Sequence, residues 1–81
     1  MSDTSRWVLD TGQLAAAVLT VARHREISLR DVAKETGLSP STVTRIGQGQ
    51  KPDADGLVSL LFWLKADAAQ FTRRRAEESQ P

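Results

Sequence analysis

A helix-start signal recurs five times in this chain of 81 residues. Asp10 is followed three places on by Gln13, the spacing of a capping box, in which a short side chain accepts an early amide and a longer one reaches back. Leu9 and Leu14 flank it where a hydrophobic staple closes. Ser28 with Asp31 repeats the arrangement, stapled by Ile27 and Val32. Ser39 comes third, with Leu38 and Val43 as its staple. Pro40 follows it at the first helical position, where a missing N–H leaves nothing unsatisfied. Asp53 and Asp67 complete the series, the latter with Gln70 three residues on. Each signal heads an amphipathic stretch. Leu14, Val18, Val21 and Ala22 make one stripe, Leu29, Val32 and Ala33 a second, and Leu57, Leu60, Leu61 and Leu64 another, all at helical spacing. Gly37, then Gly47 and Gly49 with Pro52, supply the stops. Sustained period-two alternation is absent, so no strand is expected. The reading is all-α: five helices near 10–24, 28–36, 39–48, 53–65 and 67–76.

Three segments follow: a flexible N-terminal arm at 1–9, a helical domain at 10–66, and a C-terminal helix with a polar tail at 67–81. The chain is short enough for one domain. Without cysteine it forms no disulfide framework or thiolate metal site, and one histidine builds no multi-histidine site. The longest unbroken apolar run, Leu14 to Leu19, is far below the roughly 18 residues that span a bilayer. The N-terminus has no basic start leading into an apolar stretch, so it does not read as a secretory signal. A cytoplasmic location without membrane attachment is the expectation. No cofactor is called for, and no nucleophile, base and carboxylate stand at catalytic spacing.

The informative segment is SLRDVAKETGLSPSTVTRIGQG, residues 28–49. Two short helices joined through Thr36, Gly37 and Leu38 form a helix-turn-helix unit, with Ala33 as the small residue at their crossing. The second helix leaves Pro40, Ser41, Thr42, Thr44, Arg45 and Gln48 for solvent. A helix made only for solubility favours Glu, Lys, Gln and Ala, which have higher helix propensity. Short hydroxyls instead allow close approach to another surface, and a helix N-terminus attracts phosphate. A helix fits the major groove of B-DNA, where arginine reads guanine through O6 and N7. Residues 23–51 carry Arg23, Arg25, Arg30, Lys34, Arg45 and Lys51 against Glu26, Asp31 and Glu35. This local +3 stands in a chain of net charge +1.

LRDVAKETGLSPSTVTRIGQGQKPD, followed by LVSLLFWLKAD, resembles the Cro/C1-type (XRE) helix-turn-helix of phage repressors and bacterial regulators, over roughly residues 12–72. The resemblance implies a compact five-helix lambda-repressor-like domain. It places Pro40, Ser41, Thr42 and Arg45 at base edges, and Ser39, Thr44 and Lys51 at phosphates. There are two departures. Many members carry glutamine where this chain has Leu29, and glutamate where it has Gly47, and the glycine loosens the claim of Gln48 as a reader.

The expected function is sequence-specific binding of double-stranded DNA by a transcriptional regulator. It would be a repressor acting as a homodimer on a two-fold operator through the helix at 39–48. Phe62, Trp63 and Phe71 are the candidate dimer contacts, with core packing as the other use of the apolar run 60–64. Trp7 packs on that surface or on a partner. Arg73, Arg74 and Arg75 read as a solvated helix end, with phosphate contact as the other use. Two alternatives stay open: an antitoxin that holds a toxin partner and binds its own promoter, and a protein-interaction adaptor on the same fold.

Overall fold

The computed structural model describes residues 6–75 of the chain. Four of the five start signals open α-helices: α1 Thr11–Arg25, α2 Leu29–Thr36, α3 Pro40–Gly47 and α4 Ala54–Leu64. Their caps are made as the sequence implies. Asp10 Oδ1 accepts the Gln13 amide at 3.0 Å, Ser28 Oγ that of Asp31 at 3.1 Å, Ser39 Oγ that of Thr42 at 3.1 Å and Asp53 Oδ1 that of Gly56 at 2.7 Å. At Ser28 the box is closed by Asp31, whose Oδ2 accepts the Ser28 amide at 3.0 Å. Each cap satisfies an amide that has no partner in the first turn of its helix.

The expected fifth helix over 67–76 does not form, and the fold is not purely α. Asp67 does begin a turn, with its amide donating to Gln70 Oε1 at 2.9 Å, but only a 3-10 turn, Ala68–Phe71, follows. The chain then becomes extended as strand β2, Thr72–Arg75, which pairs antiparallel with strand β1, Arg6–Leu9. The described part of the expected arm is therefore a strand; residues 1–5 and the tail at 76–81 lie outside the described residues. A helix continuing past Phe71 would have had only a threonine, three arginines and an alanine to bury. Strand pairing instead satisfies the backbone of two segments that cannot satisfy their own. Four-residue strands are too short for alternation to be legible in Arg6-Trp7-Val8-Leu9.

The core gathers Leu14, Val18 and Ala22 from α1, Val32 and Ala33 from α2, Val43 and Ile46 from α3, Leu60 from α4, and Phe71. α3 packs chiefly on α2 and α1. Phe71 closes the base of this core, and its carbonyl accepts the Asp10 amide, so the end of the helical region is tied to its beginning.

The helix ends differ in cost. Gly37 ends α2 at φ +80°, a left-handed conformation that glycine adopts freely. Glu26 and Lys65 end α1 and α4 at φ 59° and 56° with side chains that disfavour it. Thermal or urea unfolding should therefore find Lys65→Gly more stable than wild type by up to about 1 kcal/mol, and Gly37→Ala less stable by about 1–2 kcal/mol. Equal effects of like sign would contradict this assignment of the caps.

Candidate nucleic-acid interface

α3 is held by its inner face. Val43 and Ile46 are buried, while Ser41, Thr44, Arg45 and Gln48 are exposed. Those four stand at i, i+3, i+4 and i+7, the spacing that lines one side of a helix. Pro40, also exposed, and Thr42, half-buried, flank this stripe. The Thr42 hydroxyl is engaged locally: Ser39 Oγ donates to its Oγ1 at 2.8 Å. Ser39 thus both caps α3 and orients Thr42. Arg45 extends from the stripe with no ion-pair partner among the described residues.

The start of α3 offers one uncommitted amide. Pro40 has no N–H, that of Thr42 is held by Ser39 Oγ, and that of Val43 by the Ser39 carbonyl. Among the described residues the Ser41 N–H meets no acceptor, at the positive end of the helix dipole. At the other end, the amides of Gln48, Gly49 and Gln50 turn back onto the carbonyls of Thr44, Arg45 and Ile46. Gly49 makes this turn at φ +91°. The chain then passes beside α3, so that Thr42, Arg45, Gln50 and Lys51 line one concavity together with Pro52 and Asp53. The structure thereby brings together the predicted Thr42, Arg45 and Lys51, and Ser41 and Thr44 share the outer stripe with Arg45.

Gln48 was discounted on sequence because a glycine precedes it. α3 nevertheless stays regular through Gly47 and leaves Gln48 exposed on the same stripe. The reason lies in packing. A Cβ on Gly47 would stand 3.4 Å from Leu19 Cδ2 and 3.8 Å from Leu29 Cδ1. The two departures, Leu29 and Gly47, therefore face each other, and a Cβ at 47 would meet both Leu19 and Leu29 at ordinary van der Waals distance. Leu29 packs against the core rather than facing outward.

The turn between α2 and α3 is stiffened by Thr36. Its hydroxyl donates to the Val32 carbonyl at 2.8 Å and accepts the Leu38 amide at 3.3 Å. α2 is also clasped to its neighbours by Glu35. Arg25, at the end of α1, donates to both Glu35 oxygens at 2.7 and 3.0 Å, and Trp63 of α4 donates its indole N–H to Oε1 at 2.7 Å. The Arg25 guanidinium also lies 5.9 Å from the Trp63 ring centre. These hydrogen bonds hold the Glu35 carboxyl below its ordinary value, first through Arg25 and then through Trp63. The Ser28 amide and hydroxyl do the same for Asp31.

The three aromatics expected on one contact surface are separated. Phe71 belongs to the core and Trp63 is half-buried in the clasp, so neither is free for a partner as it stands. Phe62 remains, 80% exposed, one turn from Val58 at 51%. Sequence reasoning missed the arginine-bearing strand pair, because nothing in four-residue segments from opposite ends of the chain signals their pairing.

An eight-residue helix presented outward from a capped, glycine-turned helix pair defines a helix-turn-helix protein. The chain belongs to the family of Cro/C1-type HTH DNA-binding domains, whose family model matches residues 19–72. Its fold is similar to that in two crystal structures of the clp gene regulator ClgR from Corynebacterium glutamicum. One superposes with a TM-score of 0.60 at 23% identity, covering 78% of this chain and 68% of that one. The other gives 0.59 at 25% identity, covering 78% and 83%. No curated protein matches the chain by sequence. Among the described residues no helix is long and apolar enough to cross a membrane.

The clasp sets an acid dependence. Because the folded Glu35 and Asp31 carboxyls titrate below their ordinary values of 4.5 and 3.8, their stabilisation is complete above those values. It is lost as pH falls through the depressed folded ones. Arg25 and Glu35 are 44% and 37% exposed, so solvent keeps the effect small. Urea midpoints of wild type and Glu35→Gln should differ at pH 7 and draw together as pH falls below the ordinary carboxylate range. A gap that persists unchanged at pH 3 would remove the ion pair as its cause.

Proposed function

We propose that this protein is a sequence-specific transcriptional regulator that binds double-stranded DNA by laying α3 in the major groove. The observation that carries the reading is the outward stripe of α3. A buried pair, Val43 and Ile46, supports short hydroxyls and one exposed arginine with no ion-pair partner among the described residues. In this reading Arg45 and Ser41 meet base edges, with Pro40, Thr42 and Gln48 alongside. Ser39, Thr44 and Lys51 meet phosphate, and the open Ser41 amide adds a donor at the helix start. The likeness to ClgR, a clp gene regulator, supports the same class of function.

The protein acts as a homodimer and represses by occupying its operator. One unit of this size covers only about 600–1,000 Å² of DNA-facing surface, too little for tight selective binding alone. Two copies would reach half-sites about 34 Å apart on one face of the duplex. Phe62 and Val58 on α4, beside a groove lined by Leu61, Ala66 and Ala68, supply the apolar surface that self-association would cover.

Fluorescence anisotropy at fixed, near-physiological salt tests this, comparing the duplex upstream of the protein's own gene with a scrambled duplex of equal length. A preference of about a thousandfold is expected. Arg45→Ala should reduce it by about 1–3 kcal/mol, or about 5- to 150-fold. Weak, equal binding to both duplexes would overturn the reading as a regulator of its own promoter. Phe62→Ser should shift sedimentation from dimer to monomer and weaken operator binding without altering the base preference.

A further inference from the structure

The strand pair β1–β2 is a small, strongly cationic object. Its eight residues include Arg6, Arg73, Arg74 and Arg75 and no carboxylate. Glu77 and Glu78 come later in the sequence, outside the described residues. The register sets Arg6 opposite Arg75, Trp7 opposite Arg74, Val8 opposite Arg73 and Leu9 opposite Thr72. Directly opposite residues share a face, and successive residues alternate between faces. One face of the ribbon therefore comprises Trp7, Leu9, Thr72 and Arg74. Leu9 packs on the core, and the Arg74 guanidinium lies 5.8 Å from the Trp7 ring centre. The other face carries Arg6, Val8 and Arg73, and Arg75 stands at the register position opposite Arg6. Arg6 and Arg73 are exposed.

This second face has no structural reason for its charge. Like charges placed opposite one another weaken a strand pair, and two isolated strands are marginal to begin with. The fold needs Leu9, Phe71 and the backbone pairing at this end; it does not need arginines on this face of the ribbon. A polyanion would relieve the repulsion. Duplex DNA, with about one negative charge per 1.7 Å of axis, is the polyanion that the reading of α3 already assigns to this chain.

We propose that this face of the ribbon, through the exposed Arg6 and Arg73, is a second DNA contact that grips the phosphate backbone without reading sequence. The inference rests on the DNA-binding reading of α3 and extends it. α3 supplies the preference among sequences, and the ribbon supplies affinity common to all of them.

The test uses the full chain with Arg6 and Arg73 both changed to Gln, beside the same two changed to Lys. Binding to the upstream duplex and to its scrambled counterpart is measured across a salt series. Each phosphate contact contributes about 0.9 to the slope of log affinity against log salt. The Gln variant should therefore show a slope shallower by about two. Its deficit relative to wild type should narrow roughly 10-fold between about 50 and 200 mM salt. Both duplexes should lose affinity by the same factor, and the Lys variant should keep the wild-type slope. Helical circular dichroism should match wild type and the melting temperature should not fall, since no core residue changes and the repulsion between the arginines is removed. An unchanged slope in a folded Gln variant overturns the proposal. So does an altered oligomeric state at unchanged slope, which would assign the ribbon to pairing between copies. The α3 reading fails separately: it falls if wild type never distinguishes the two duplexes, while a shallower slope in the Gln variant would still uphold the ribbon. Wild type that binds neither duplex at low salt overturns both.

Discussion

An eight-residue helix does not persist in water, because nucleation fixes three residues for one hydrogen bond and so short a segment never recovers that cost. α3 is such a helix, and everything the protein presents through it depends on the burial of Val43 and Ile46 against α1 and α2. Full burial of two side chains of this size contributes about 1.5–3 kcal/mol each. The Ser39 cap and Pro40 add to this at the entry, and the returning amides of Gln48, Gly49 and Gln50 at the exit. With both ends and the inner face committed, the remaining side chains are free to differ from those of an ordinary solvent-facing helix.

The scaffold around α3 is held by contacts of different kinds. On one side Leu19 of α1 and Leu29 of α2 pack beside Gly47 at the end of α3. On another, Glu35 takes hydrogen bonds from Arg25 and Trp63, joining the ends of α1, α2 and α4. The first is apolar and indifferent to pH; the second is partly solvated and weakens in acid. The departures from the usual family pattern at Leu29 and Gly47 thus read as one packing solution, in which a position often given to phosphate contact serves the core.

Much of this was legible beforehand. Four caps, the Gly37 turn, the buried face of α3 and the exposed hydroxyl-rich face all follow from local spacing. A capping box, a left-handed glycine and a 3.6-residue stripe are each decided by atoms a few residues apart. The candidate site was legible to the same degree: Ser41, Thr44 and Arg45 lie where periodicity places them. Thr42 was less so, because its half-buried flank and its bond from Ser39 depend on the path of the loop at 48–53. Gln48 was set aside on helix propensity, which tertiary packing overrode at Gly47. The last start signal, at Asp67, was real but opened only one turn, since no large apolar residue after Phe71 gave a longer helix anything to bury.

The sequence by itself determined the helical order, the punctuation between helices and the chemistry of the outward face, because these rest on interactions within one or two turns. Only the tertiary structure decided the fate of the ends and of the aromatics. Pairing Arg6–Leu9 with Thr72–Arg75 joins segments more than sixty residues apart, and its hydrogen bonds are between backbones, which leave no side-chain signature. Whether Phe71, Trp63 or Phe62 is buried turns on which helix face meets the core. Three aromatics in similar local surroundings were sorted into core, clasp and surface by the closing of the chain on itself.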